Sequence, residues 1–221
     1  MNTRHSISSI VSSRLMRLAV CALFACASLT ALAPTGLSQS GPTSPLFFYN
    51  AASGLGATAL LDGAGNYQFV RAVPGFARGW THVAGASNGA LFFYNAFTGN
   101  GATARIDVAG NYQFVRSISG FAMGWTHVVS ANANGLLFYN AASGLGATAT
   151  LDSAGNYQFV RAIPGFATGW THVAGASNGG LFFYNASTGN GATSLLDGAG
   201  NYQFVSAISG FARDWTHIDG L

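Results

Sequence analysis

The sequence predicts an all-β chain, a β-propeller of four four-stranded blades, closed by pairing of its N- and C-terminal strands. A repeated unit, strand-and-turn chemistry inside that unit, and complementary half-blades at the two ends predict it. Leu46-Phe47-Phe48-Tyr49-Asn50 returns at 91–95, 136–140 (with Leu137 for Phe) and 181–185, 45 residues apart each time and without insertion. Within each unit follow Gly-Ala-Thr, an Asp (62, 107, 152, 197), Ala-Gly-Asn-Tyr-Gln-Phe-Val, Gly-Phe-Ala and Trp-Thr-His. A period of this length carrying four short strands belongs to propeller blades, which leave only short sheet edges.

The N-terminus comes first in the chain. Residues 1–17 hold Arg4, Arg14 and Arg17 and no acid, and residues 18–33 are apolar. A basic start, a short apolar run and small residues beyond it predict a secretory signal peptide over 1–40. Sixteen apolar residues fall short of the roughly 20 that a spanning helix needs. The cleavage point stays open between Ala31-Leu32-Ala33 and the serines Ser38 and Ser40, and Leu23-Phe24-Ala25-Cys26 only loosely resembles a lipoprotein box. The expected location is extracellular or periplasmic. Without the leader, six Arg face six Asp, both cysteines (Cys21, Cys26) are gone, and there is no Lys. A neutral domain offers no electrostatic footprint for nucleic acid or anionic membrane, and its stability must come from burial.

The propeller is expected over 41–221, in repeats 46–90, 91–135, 136–180 and 181–221. Repeats one and three share Ala-Ser-Gly-Leu and Pro-Gly-Phe, while two and four share Thr-Gly-Asn and Ser-Gly-Phe, the mark of a duplicated pair. In the second blade the expected strands are 80–83, 90–95, 102–107 and 112–118, aromatic or β-branched runs punctuated by Gly, Asn and Asp. Asp-x-Ala-Gly-Asn reads as a tight hairpin with the aspartate capping its own turn. Leu-Phe-Phe-Tyr is apolar without alternation, as a strand buried on both faces requires. The final Trp215-Thr216-His217-Ile218 can pair with Leu46 to Asn50 and complete the first blade, so a monomer closes. A homodimer making a larger ring and an open array are the alternatives.

The loop entering each first strand and the turn joining second to third strand share one rim. That rim carries Trp80, Trp125, Trp170 and Trp215, Asn50, Asn95, Asn140 and Asn185, and the variable Arg78 and Arg213. Flat rings with amides and hydroxyls suit neutral sugars. The tryptophans serve packing equally well, and the asparagines serve equally well as turn residues. His82, His127, His172 and His217 are expected on the innermost strands. They are expected to bond within the blade rather than to hold a metal, since no carboxylate stands near them. Asp214 and Asp219 break the repeat, and Asp214 beside Arg213 suits a weak surface pair. No Gly-x-Ser-x-Gly, Walker or zinc-protease motif occurs, and acids and bases come only in equivalent copies, so catalysis is not expected.

Gly79-Trp80, Asn88-Gly89 and Leu91 to Tyr94 together resemble the tachylectin-type lectin propellers and related bacterial tandem-repeat propellers, over residues 46–221. That resemblance implies five-bladed rings that bind N-acetylated sugars between blades. This chain departs in having four repeats and no Asp-Asn-Trp segment, so the family's sugar-contacting residues do not carry over. The expected function is a secreted, multivalent carbohydrate-binding module, not an enzyme, with glycans or glycoconjugates as partners and no cofactor. A scaffold for protein interaction and a metal-binding histidine ring are the alternatives. Near-identity of the copies fits selection for equal sites or recent duplication alike.

Overall fold

A computed structural model describes residues 43–220, so the leader expected over 1–40 lies outside the described residues. The described chain is all-β. The first blade holds β1 (Ser44–Asn50), β2 (Leu55–Leu61) and β3 (Tyr67–Val73); the second, β4 (His82–Gly85), β5 (Ala90–Asn95), β6 (Asn100–Ile106) and β7 (Tyr112–Ile118). The third has β8 (His127–Ala131), β9 (Gly135–Asn140), β10 (Leu145–Leu151) and β11 (Tyr157–Ile163). The fourth has β12 (His172–Gly175), β13 (Gly180–Asn185), β14 (Asn190–Leu196) and β15 (Tyr202–Ile208). Each blade is an antiparallel meander in chain order, and each carries one bulge on its outer pair, as between Thr103 and Ala104.

Four blades are observed as expected, and one feature of their closure differs. The first sheet contains only β1, β2 and β3, and residues 215–218 are not paired with β1. Instead the C-terminal segment continues the row of inner strands, where the Thr216 carbonyl receives His172 Nε2 at 3.0 Å, as Thr171 receives His127 at 3.1 Å. Strand pairing needs alignment over several residues, whereas this side-chain bond holds the segment against the fourth blade.

Turn chemistry fixes the hairpins. Asp107 Oδ1 accepts from the amides of Ala109 and Asn111 at 3.0 and 2.8 Å, and its Oδ2 accepts from Asn111 Nδ2 at 3.0 Å. Gly110 supplies the positive φ of 78° that this turn requires. Asp62 and Asp197 repeat the motif, so the aspartates cap their own turns. These bonds, the one from the asparagine side chain foremost, hold the aspartate pKa values below the usual carboxylate range.

The core lies between blades. In β5, Leu91 and Phe93 pack on Phe47 and Phe76 of the first blade, while Phe92 and Tyr94 pack on Leu136 and Phe138 of the third. The second strand is thus buried on both faces, as its unbroken apolar run predicts. Phe92 meets Phe138 edge-on at 5.4 Å and stacks with Tyr157 at 5.5 Å. Each such pair adds about 0.5–1.5 kcal/mol beyond area burial. The glycine of Gly-Ala-Thr has a packing cause. A Cβ on Gly101 would run into the Phe121 ring, so the glycine makes room for the wedge of Gly-Phe-Ala.

Candidate functional site

The loop before each inner strand lies beside the hairpin of the preceding blade. Phe121 N donates to Gly99 O at 3.0 Å and Gly124 N to Ala96 O at 2.9 Å. Asn95 Nδ2 donates to Gly79 O at 2.9 Å, while its Oδ1 accepts from the amides of Phe97 and Thr98 at 2.9 and 3.1 Å. Asn140 and Asn185 do the same, and Asn50 Oδ1 accepts from Ala52 and Ser53. These amides therefore spend their hydrogen bonds on the turn.

Trp80, Trp125 and Trp170 are half-buried, each about one ring away from a core phenylalanine: Phe93 at 5.9 Å, Phe138 at 5.9 Å and Phe183 at 6.0 Å. Trp215 has no such partner among the described residues and is 56% exposed. Arg78 and Arg213 are exposed. Sequence reasoning missed the tyrosine that ties the rim together. Tyr94 OH donates to Ala122 O at 2.7 Å and receives Trp125 N at 3.4 Å, and Tyr49, Tyr139 and Tyr184 repeat the arrangement. Its signal was present, since Tyr closes every Leu-Phe-Phe-Tyr run.

The histidines bond both within their own blade and to the next. His82 Nε2 lies 3.0 Å from Thr126 O and its Nδ1 2.9 Å from Thr81 Oγ1; His127 and His172 repeat this. A carbonyl only accepts, so Nε2 carries a proton and both ring nitrogens are engaged. Burial, with smaller contributions from His82 and His172, lowers the pKa of His127 and favours its neutral form. No cluster of three metal-ligating side chains occurs among the described residues.

Two cavities occupy equivalent places one duplicated pair apart. One of about 240 Å³ lies between the first two blades, walled by Pro74, Phe76, Trp80, Phe93, Tyr112 and Phe114. The other, about 260 Å³, lies between the last two, walled by Pro164, Phe166, Trp170, Phe183, Tyr202 and Phe204. Neither has a charged lining residue. Burial pushes the Tyr112 hydroxyl up to about 12, so it stays protonated at neutral pH. Tyr202 is likewise raised by burial, and its hydroxyl sits 2.7 Å from Ser194 Oγ. Sequence reasoning placed a binding surface on the rim and did not foresee cavities between blades.

No family model and no curated protein matches the chain. Among solved structures it is similar to a candidate 6-phosphogluconolactonase from Bacteroides fragilis, with 12% identity, a TM-score of 0.53, 76% of this chain covered and 52% of that one. It is also similar to a protein from Lactobacillus plantarum (13% identity, TM-score 0.51, 78% and 55% covered) and one from Desulfotomaculum acetoxidans (9%, 0.51, 74% and 55%). The chain thus spans about half the length of these structures, and the likeness shows a propeller-like fold. The expectations of a lectin-like module and of a protein that is not an enzyme are corrected here. The named likeness is to a lactonase, and no tachylectin family is matched. The asparagine amides on which a sugar-binding rim relied are also engaged in their own turns.

Proposed function

We propose that the protein takes a small, neutral cyclic ester, a lactone, into the two equivalent inter-blade cavities and opens it with water. The observation that carries this reading is a protonated tyrosine hydroxyl in an uncharged, aromatic-walled cavity, present in duplicate. Flat aromatic walls suit a flat ring, and without a cation in the lining a phosphorylated substrate is disfavoured. The shared fold with a protein named for lactone hydrolysis suggests the class of substrate. Tyr112 OH would donate to the ester carbonyl as negative charge develops there. Water adds to the carbonyl carbon and the ring C–O bond breaks. The departing oxygen takes a proton from the water, leaving a hydroxy acid. The leader read from the sequence supports action outside the cytoplasm.

The test is ring opening of glucono-δ-lactone and δ-valerolactone, followed by base uptake at constant pH. Acceleration above the spontaneous rate is expected, with a loss of about tenfold or more in Tyr112→Phe combined with Tyr202→Phe. A folded protein that leaves both lactones at the spontaneous rate would contradict the reading.

A further inference from the structure

The two ends of the blade array expose matching halves of a contact that the molecule already makes internally. At the first two junctions, the phenylalanine facing the next blade meets a phenylalanine and a tyrosine of that blade. Phe47 lies 5.6 Å from Phe93 and 5.9 Å from Tyr112, and Phe92 lies 5.4 Å from Phe138 and 5.5 Å from Tyr157. On the outer face of the fourth blade Phe211 is the one aromatic ring that Phe182 meets among the described residues, at 5.4 Å. The residues that would complete it by the repeat are Phe48 and Tyr67, on the open face of the first blade. Phe48 is 47% exposed where its equivalents Phe93 and Phe183 are 1% exposed, and Tyr67 is 57% exposed.

Smaller pairs agree. Val70, Val115 and Val160 each press on a glycine of the next blade, Gly110, Gly155 and Gly200. The fourth valine, Val205, is exposed, and the first glycine, Gly65, faces open space. The inner strand tells the same story. Thr81, Thr126 and Thr171 donate their amides to Tyr94, Tyr139 and Tyr184. Thr216 finds no such acceptor among the described residues, and β1 has no fourth strand beside it. A cavity of about 580 Å³ borders the inner edge of β1 and the inner strands of the other three blades, lined by Pro45, Leu46, Gly85, Ser130, Gly175 and Gly220 among others, and leaves that edge of β1 open.

We propose that a second copy of this chain fills these places head to tail. Residues 215–218 of one copy pair with β1 of the other, and Val205 and Phe182 of the first pack on Gly65, Phe48 and Tyr67 of the second. Two such junctions close a ring of eight blades. The solved structures of this fold extend well beyond the roughly half of their length that this chain matches, which agrees with a ring wider than four blades. The contact is heterologous, with different surfaces on the two copies. It is less complete than the internal junctions. Ser206 stands where Arg71, Arg116 and Arg161 reach a tyrosine carbonyl of the next blade, and Asp219 stands where Ala84 and Ala174 are buried. The strand match therefore ends at Ile218, and the pair is expected to dissociate on dilution.

The internal register places Ile218 opposite Phe48, as Val83 stands opposite Phe93. Phe48→Cys with Ile218→Cys, in a full chain carrying Cys21→Ser and Cys26→Ser, should give a disulfide-linked species of two chains on oxidation. A disulfide confined to one chain, or no disulfide, would overturn the proposal. Mixing the two single-cysteine chains guards against misfolding of the double variant. Mixed, they should cross-link to each other, and each alone should stay uncross-linked. Equal cross-linking of either chain with itself would overturn the head-to-tail arrangement.

Discussion

Thr58, Thr103 and Thr148 are fully buried, and their hydroxyls have no partner among the described residues. In the fourth blade the same hydroxyl, Thr193 Oγ1, sits 2.9 Å from Ser206 Oγ, at the position where the other blades carry an arginine. An unpaired buried hydroxyl costs about 1–3 kcal/mol, and valine would put a second methyl group of similar size in its place. Thr103→Val should therefore raise the unfolding free energy by about 1 kcal/mol in urea titration. A loss of stability would mean that the hydroxyl has a partner and that the interface between second and third blades is wetter than described. Threonine at this place was legible in the sequence as a repeated residue, but its isolation was not, because that depends on the side chains of the adjoining blade.

The hairpins show how much of each element local chemistry dictates. Strands 90–95 and 112–118 fall where aromatic and β-branched runs place them. The first strand begins at His82 rather than at Trp80, because Trp80 N turns to Tyr49 OH at 3.3 Å instead of joining the ladder. The third begins at Asn100 rather than at residue 102, because Asn100 and Gly101 extend the pairing with Asn95 and Tyr94. The asparagine ending each second strand holds its own turn and also the loop before the inner strand. Asn140→Ala removes the bond to Gly124 O and leaves the amides of Ala142 and Ser143 without their acceptor. A cost of about 1–3 kcal/mol is expected in thermal or urea unfolding. A neutral Asn140→Ala would show that this hairpin is held by its strands alone. The candidate cavities were the least legible element, since they arise where two blades diverge and no single repeat contains both walls.

At the scale of the whole molecule, repetition dictates blade count, while curvature decides closure. Four copies of one register were readable from the chain, and so was the complementarity of its two ends. Whether the last inner strand reaches the first blade depends on the angle between neighbouring blades. That angle comes from wedges such as Phe121 seated over Gly101 and summed across three junctions, a quantity no pattern of residues displays. The described chain leaves the inner edge of β1 without a neighbouring strand, with Trp215 exposed and the row of inner strands continuing past the fourth blade. An uncompleted four-blade array with self-complementary ends is the central claim, and its mass in solution tests it most directly. Sedimentation of the protein over a range of concentrations should show the mass of two chains, falling to that of one on dilution. Trp215→Ala should shift that transition to higher concentration. A single chain mass at every concentration, unchanged by Trp215→Ala, would contradict it.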